Sequence, residues 1–221
     1  AWAFSTAGVE APALFEAVSA EAQGKTFKAE ELANTVWAFA KAGLEAPLLF
    51  EAMALEAPKT ITTFTPQGLA NTAWAFSKAK VEALPLFDAI ALEAAPKIPE
   101  FTPQALANTV WAFASAGVAA PLLFEAVAAE APEQLAAFTP QALAKTAWAF
   151  STAGMRRMAL FECMAPWIEA KMGEFRVSEL AMLHDVFDDL RREKPTHPLT
   201  QILSRHEADL QSAQREQRPP P

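Results

Sequence analysis

Four tryptophans recur at a fixed interval along the chain and could supply aromatic chemistry. They are Trp37, Trp74, Trp111 and Trp148, each 37 residues after the one before, and Trp2 precedes the first of them by 35. An exposed indole can stack on a nucleic-acid base, so a row of indoles would make a platform for a single strand. The simpler interpretation is packing between neighbouring repeats, because a large aromatic residue at the margin of an apolar arc normally belongs to the core. Both interpretations stay open at this point.

Polar residues flank each tryptophan at fixed offsets, and their chemistry is hydrogen bonding and charge. The positions seven before, three before and four after each tryptophan are Glu30, Asn34 and Lys41; Gln67, Asn71 and Lys78; Gln104, Asn108 and Ser115; and Gln141, Lys145 and Thr152. The asparagines could tie repeats together, or they could bind the edges of splayed RNA bases, as helical-repeat readers do with two or three side chains per repeat. All of these residues except Glu30 are candidate RNA-binding residues.

Catalytic and metal chemistry has little support in the sequence. The three histidines, His184, His197 and His206, lie apart from one another and from any cysteine cluster. The single Cys163 lies in an apolar stretch and is expected to be a small buried hydrophobe. No glycine-rich phosphate loop is present in the sequence. We therefore predict no enzymatic activity, metal site, cofactor or small-molecule substrate.

The elements that must position these side chains are pairs of helices. Each repeat opens with a threonine N-cap and a proline at the first helical position, as in Thr65-Pro66, Thr102-Pro103 and Thr139-Pro140. The first helix is expected to end at a glycine, for which the candidates are Gly43, Gly117 and Gly154. Lys80 stands at this place in the third repeat, which predicts a weaker C-cap. The second helix begins near a proline in four repeats, at Pro12, Pro47, Pro85 and Pro121.

Self-similarity at this period predicts an all-α fold in which each unit buries its apolar face only against its neighbours. The specific prediction is a right-handed α-α superhelical solenoid of about five to six helix-pair repeats of 37 residues. Residues 1–174 are assigned to the repeats, the first of them truncated, and residues 175–213 to a degenerate C-terminal capping repeat with Asp185 at the tryptophan position. One more helix is expected after His197, through about Ala213, and residues 214–221 are assigned to a disordered tail.

Composition and charge limit the partners. The 221 residues are 52% hydrophobic with a net charge of −8, which by itself argues against nucleic acid. The acids, however, concentrate on the second helices, whereas the first helices carry Lys41, Lys78, Lys80 and Lys145. No apolar run approaches the length of a membrane span. The chain has no initiator methionine and opens on residues typical of the middle of a helix, so we expect a fragment of a longer protein.

The string Phe-Thr-Pro-Gln-Ala-Leu-Ala-Asn-Thr-Val-Trp-Ala-Phe-Ala at 101–114, with copies starting at 64 and 138, resembles the octotricopeptide-type repeats. It is also similar to repeats of FAST-kinase-like and RAP-domain proteins, and to subunits of the mitochondrial RNA-editing substrate-binding complex. The resemblance covers about residues 1 to 190. It implies RNA binding in a mitochondrion or chloroplast, supporting transcript processing, stability or translation. It also implies that the first helices line the RNA surface.

The function that these observations favour is non-catalytic binding of single-stranded RNA by the concave face of the repeat array. The alternative is a protein–protein interaction scaffold of the same fold, whose concave wall would hold a partner helix or an extended peptide. A neutral or basic wall would favour RNA, whereas an acidic wall would favour a basic protein partner.

Overall fold

The computed structural model describes residues 5–6, 13, 15–18, 27–155 and 157–217. Trp2, Pro12 and residues 218–221, about which the sequence made predictions, lie outside these residues. The described part is all-α and contains no strand. In chain order its α-helices are α1 (Ala29–Ala42), α2 (Pro47–Glu56), α3 (Pro66–Lys78), α4 (Leu84–Ala94), α5 (Pro103–Ala116), α6 (Pro121–Gln134), α7 (Pro140–Thr152), α8 (Met158–Ala170), α9 (Val177–Glu193), α10 (Pro198–Arg205) and α11 (Glu207–Gln217).

The starts of α3, α5 and α7 agree with the threonine–proline prediction. The Thr65 hydroxyl accepts a hydrogen bond from the Gly68 amide at 3.1 Å, and Thr102 and Thr139 cap their helices in the same way. These bonds satisfy amides at the first turn that have no partner within the helix. Helix α1 is capped differently: the Glu31 carboxylate accepts a hydrogen bond from the Lys28 backbone amide at 3.0 Å.

The first helices end in a left-handed residue. Gly43, Gly117 and Gly154 adopt φ angles of 68°, 68° and 67° there. Lys80 occupies the same place after α3 with a φ of 56°, and it is the one described non-glycine residue with positive φ. A side chain is strained in this region, so the chain turns here in the glycine geometry despite the substitution.

Short 3-10 segments that the sequence analysis did not predict follow the second helices. They are Ala57–Thr63, Ala95–Glu100, Leu135–Ala137 and Met172–Glu174. Each leads directly into one of the phenylalanines that recur every 37 residues, namely Phe64, Phe101, Phe138 and Phe175, all of them buried. The segments carry the chain from one helix pair to the next first helix.

The helices pack in chain order. Helices α1, α3, α5, α7 and α9 lie side by side as one layer, and α2, α4, α6 and α8 pack beside and behind them. Edge-to-face phenylalanine pairs join α2 to α3, α4 to α5 and α6 to α7. The pairs are Phe50–Phe76, Phe87–Phe113 and Phe124–Phe150, with ring centroids 5.0 to 5.1 Å apart. This offset geometry is favourable for aromatic rings and repeats the same contact between successive pairs.

The C-terminal region differs from the prediction in two respects. The chain after His197 forms two helices, α10 and α11, because the α-helix is interrupted at His206. Helix α11 packs against α9 through the buried Leu210 and Ala213 and continues to Gln217, beyond the boundary that we placed before residue 214. A docked apolar face, rather than local polarity, decides that this segment is helical.

Candidate nucleic-acid interface

Four tryptophans form a row across the first-helix layer. Trp37, Trp74, Trp111 and Trp148 occupy equivalent positions on α1, α3, α5 and α7, which are neighbours in space. The Trp37 and Trp74 ring centroids are 6.5 Å apart, with the planes inclined by 41°. All four residues are half-buried, and Trp74, Trp111 and Trp148 pack against the core. The row therefore combines packing with partial access from solvent, and both sequence-based interpretations remain compatible with it.

Lysines lie over two of the four indoles. The Lys41 Nζ is 4.7 Å from the centroid of the Trp37 ring in its own helix. The Lys145 Nζ, on α7, is 5.3 Å from the Trp111 ring of the neighbouring α5. A cation over an indole face is attracted by the ring quadrupole, which holds positive charge beside the aromatic row.

Lys145 is the most enclosed of the predicted cations. Its Nζ donates a hydrogen bond to Asn108 Oδ1 at 2.8 Å, which ties α7 to α5. Burial lowers the pKa of Lys145, the positive charge of Lys78 acts in the same direction, and Glu179 opposes both. A lysine in this environment has lost part of its hydration, so an approaching phosphate meets a cation that already lacks some of its water.

The asparagines three residues before the tryptophans form side-chain hydrogen bonds of two kinds. Asn108 takes part in the bond between neighbouring repeats, as the packing interpretation of the asparagines expects. Asn71 instead accepts from Gln67 Nε2 at 2.8 Å within α3. Asn34, Asn71 and Asn108 are all half-buried and keep partial access to solvent.

The remaining predicted contacts lie on the accessible surface of the same layer. They are the exposed side chains of Lys41, Gln67, Lys78, Gln104, Ser115, Gln141 and Thr152. The structure thus brings the predicted residues of α1, α3, α5 and α7 to one layer of the molecule, in three parallel columns. Their arrangement is suited to an extended ligand that crosses successive helices.

Charge separates the first helices α3, α5 and α7, which carry no acidic residue, from the second helices α2, α4 and α6, which do. Acidic residues of the second helices pair with cations of the connecting segments, as in Glu93–Lys97 and Glu56–Lys59, both with N–O distances of 2.6 Å. Within the described part of the chain, neither Lys41 nor Lys78 forms an ion pair. Their charges are therefore available to an anionic ligand.

The row ends at Asp185, which occupies the tryptophan position on α9. The Trp148 indole N–H donates to Asp185 Oδ2 at 3.2 Å, and Gln214 Nε2 donates to its Oδ1 at 3.2 Å. Burial raises the pKa of Asp185, whereas the Trp148 hydrogen bond and His184 act to lower it, and Asp188 and Asp189 add to the rise. Helix α11 thus contacts this end of the row through Gln214, while the Asp185 side chain stays exposed to solvent.

A cavity that sequence reasoning did not identify adjoins the row at Trp111. It lies between the loop after α3 and helix α5, and Lys78 and Lys80 line it together with Trp111 and Ser115. Of these residues, the sequence analysis proposed only Lys78 and Ser115 as contacts. The substitution of Lys80 for a repeat glycine was the available signal, and we had assigned it only to a weaker cap.

Two histidines outside the row, His197 and His206, have structural partners. His197 caps α10 by accepting from the Leu199 amide at 3.2 Å, and His206 lies 3.9 Å from Asp209. No cluster of three histidine, cysteine or acidic side chains that could hold a metal occurs among the described residues. Cys163 is exposed, contrary to our prediction that it is buried, because it lies one position away from the buried stripe of α8.

Comparison with known protein families gives one match. The family model described as RNA-editing substrate-binding complex 6 protein matches residues 2–184. The match includes the whole tryptophan row and ends one residue before Asp185. No curated protein matches the chain significantly. Within the described residues, no helix combines the length and apolar character that crossing a membrane requires.

Proposed function

Because the chain belongs to the RNA-editing substrate-binding complex 6 protein family, we propose that it binds single-stranded RNA along its first-helix layer, without catalysis. The observation that carries the proposal is the placement of Lys41 and Lys145 over the indoles of Trp37 and Trp111. Aromatic platforms beside cations are the combination that single-strand binding uses, since the bases stack while the phosphates are neutralised.

The proposal includes the finer architecture expected from the sequence. The first helices wind as a right-handed superhelix with the tryptophan row on its concave side, so that successive repeats meet successive nucleotides. Support comes from bonds between equivalent helices that join residues 37 apart, such as Lys145 to Asn108 and Trp148 to Asp185. At about one base per repeat, the chain would hold roughly five nucleotides.

The proposed setting is an RNA-editing assembly in the mitochondrion. The family description names an RNA-editing substrate-binding complex, and the repeat string resembles that of mitochondrial editing subunits. The chloroplast, which the sequence analysis kept as an alternative, gains no support from this family.

A second candidate function, binding of a protein partner, is favoured by the outer surface of the second helices. Five large apolar side chains there are 59% to 74% exposed: Leu48, Leu55, Leu84, Leu92 and Leu122. Exposed carboxylates, among them Glu51, Asp88 and Glu125, lie on the same helices. Apolar patches with a charged rim are typical of protein interaction sites. The partner suited to this surface is an amphipathic helix with basic flanks.

Fluorescence anisotropy with a labelled random-sequence RNA octamer, across a salt series, tests the proposed RNA function. We expect a modest affinity whose salt dependence corresponds to about two to four phosphate contacts, at a slope of roughly 0.7 per contact. Undetectable binding by the folded chain at low salt would contradict RNA binding and leave the protein-partner function as the better account. A duplex DNA of the same length is the control, because stacking platforms need unpaired bases.

A further inference from the structure

The largest opening beside the tryptophan row is the cavity between the loop after α3 and helix α5, here called the α3–α5 cavity. Its volume is about 630 Å³, within the range of about 300 to 1,000 Å³ that is usual for small-ligand sites. Apolar side chains that include Val81, Leu84 and Val118 form part of its wall, with Trp111 at its edge. Lys145 approaches Trp111 from α7, on the side of α5 away from α3. The cavity thus combines an apolar wall, an aromatic ring and nearby cations, and the exposed carboxylate of Glu82 also lines it.

Two lysines line this cavity and are exposed to solvent. Lys78 is the last residue of α3, and Lys80 follows in the left-handed conformation with a φ of 56°. Three other repeats place glycine there, which adopts this conformation without the strain that a side chain introduces. Strained residues persist where the surrounding structure holds them, and they concentrate at binding sites. A glycine at position 80 would fit this backbone conformation without strain but would carry no charge, so Lys80 adds a cation to the cavity.

A buried hydroxyl on the cavity wall has no partner. Ser77 is 8% exposed, and its Oγ forms no hydrogen bond among the described residues. The equivalent serine two repeats later, Ser151, donates to Asp189 Oδ2 at 2.7 Å. Asp189 occupies on α9 the position that Ser115 occupies on α5, four residues after the tryptophan position. Between α7 and α9 a carboxylate therefore meets the serine, whereas between α3 and α5 the shorter Ser115 leaves the enclosed Ser77 hydroxyl without a partner behind the cavity wall.

From this geometry we infer that the α3–α5 cavity binds one nucleotide of single-stranded RNA, with the base inside and the phosphates at the rim. The base contacts the apolar wall and Trp111. The Ser77 hydroxyl is enclosed behind that wall and donates a hydrogen bond to the base once the wall side chains shift on binding. Lys78 and Lys80 contact the phosphates on either side of that nucleotide. Every RNA base offers an acceptor on its edge, so this assignment involves no base preference. The inference rests on the proposed RNA function and adds a specific nucleotide site to it.

The first test replaces the strained lysine with the glycine of the other repeats. Lys80→Gly should weaken binding of the random-sequence RNA octamer about threefold to tenfold and reduce the salt-dependence slope by about 0.7, for one lost phosphate contact. Its melting temperature should stay the same or rise, because glycine relieves the strained backbone. Lys59→Ala, which removes an exposed lysine from a connecting segment, is the matched control and should leave the affinity within about twofold. Equal affinity of Lys80→Gly and Lys59→Ala would overturn the phosphate assignment.

The second test separates the base contact from the phosphates. Ser77→Ala should weaken binding of the RNA octamer about threefold to tenfold and leave binding of an octamer of abasic ribose phosphates unchanged. Its melting temperature should not fall, since the change removes an unsatisfied buried hydroxyl. Lys80→Gly should weaken binding of both octamers. If Ser77→Ala affects both octamers equally, or neither, the base is not in the cavity.

A third variant fills the cavity with the group present at the other interface. Ser115→Asp should place a carboxylate within reach of Ser77, as Asp189 is placed for Ser151, and should weaken RNA binding at least tenfold by occupying the site and adding negative charge. Ser115→Asn introduces a side chain of the same size as aspartate but without its charge, and it should weaken binding less than Ser115→Asp. Wild-type affinity in both variants would overturn the nucleotide site and leave RNA binding by the rest of the row in place. Absence of RNA binding by the wild-type chain would instead overturn the proposed function itself.

Discussion

The two layers of this protein use one hydrophobic core to support surfaces of opposite chemistry. On the first helices, half-buried indoles lie beside lysines and amides, such as Trp111 with Lys145 and Asn108. On the second helices, leucines that are as much as 74% exposed lie among carboxylates. The first surface is suited to an extended anion with aromatic bases, and the second to an apolar, basic protein segment. The net charge of −8 describes neither layer, because it sums over both.

Some positions of the repeat are constant along the chain, and others vary. Phenylalanine pairs such as Phe87 with Phe113 recur with nearly constant geometry, since each joins one helix pair to the next. The position four residues after the tryptophan changes from lysine to serine, threonine and aspartate along the chain. A core position is fixed by close packing, whereas a surface position can be altered at little cost in stability. The charge that each repeat offers to a ligand is therefore expected to differ at the variable position.

The largest predicted effect distinguishes the core from the row. Phe113→Ala should lower the free energy of unfolding by about 3 to 5 kcal/mol, because this ring is fully buried and its loss leaves a cavity. Trp111→Ala should cost less, about 2 to 3 kcal/mol, because the indole is only half-buried. Urea unfolding measures both values. In a variant that remains folded, Trp111→Ala should also weaken RNA binding.

The result that would contradict this ranking is a Trp111→Ala variant as destabilised as Phe113→Ala, with RNA affinity unchanged. Such a tryptophan would act in packing alone, and the first-helix surface would lose its aromatic component. Unchanged stability with a complete loss of RNA binding would make the row a stacking platform with little part in the core.

The next prediction separates the two polar columns of the first layer. Lys41→Ala with Lys78→Ala should weaken binding of all single-stranded sequences about equally, by roughly tenfold at low salt, because lysines neutralise phosphates. Asn71→Ala with Asn108→Ala should weaken binding less and relax base preference, since amides bond base edges. Selection from a random RNA pool, followed by sequencing, measures the preference. Equal behaviour of the two double variants would remove the distinction between backbone and base contacts.

A smaller effect tests whether RNA is confined to the first layer. Leu55→Ser with Leu92→Ser should change the free energy of unfolding by less than about 0.5 kcal/mol per site, because both side chains are more than 70% exposed. RNA affinity should stay the same. A basic amphipathic peptide is the matched probe for the leucine surface. The double variant should bind this peptide more weakly than the wild type does. A loss of RNA affinity in this variant would place the nucleic acid on the second layer and reverse the comparison.

Local sequence signals anticipated most of the helical framework, and they failed where a distant contact decides the outcome. Threonine–proline dipeptides predicted the starts of α3, α5 and α7, because the cap involves residues within one turn. The 3-10 segments were missed, since their composition resembles the end of the preceding helix. The break at His206 and the extension of α11 depend on packing against α9, which no local pattern encodes.

The sequence likewise predicted only part of the candidate site. The period of the repeat identified the row and its three polar columns, since equivalent positions on neighbouring helices meet. The α3–α5 cavity could not be found in this way. It depends on the unpaired hydroxyl of Ser77 and on the short side chain of Ser115, and neither can be deduced from the period of the repeat. Burial of Cys163 was predicted from its apolar neighbours, and the helical phase instead leaves it exposed.

The smallest predicted effect concerns the end of the row, where Asp185 replaces tryptophan. Because burial raises the pKa of Asp185 above its ordinary value of 3.8, the folded chain binds this proton more readily than the unfolded chain. The contribution of the carboxyl group to stability is therefore fully present below its ordinary pKa and is lost as the pH rises through the folded pKa. Asp185→Asn keeps an oxygen that can accept from Trp148 but removes the titration. Thermal melts should find the variant at least as stable as the wild type near neutral pH, with the difference shifting toward the wild type in acid. Asp88→Asn, the same substitution at an exposed carboxylate on α4, is the control for the effect of the substitution itself. A difference between Asp185→Asn and wild type that does not vary with pH would mean that the last indole meets a carboxylate as well hydrated as one on the open surface.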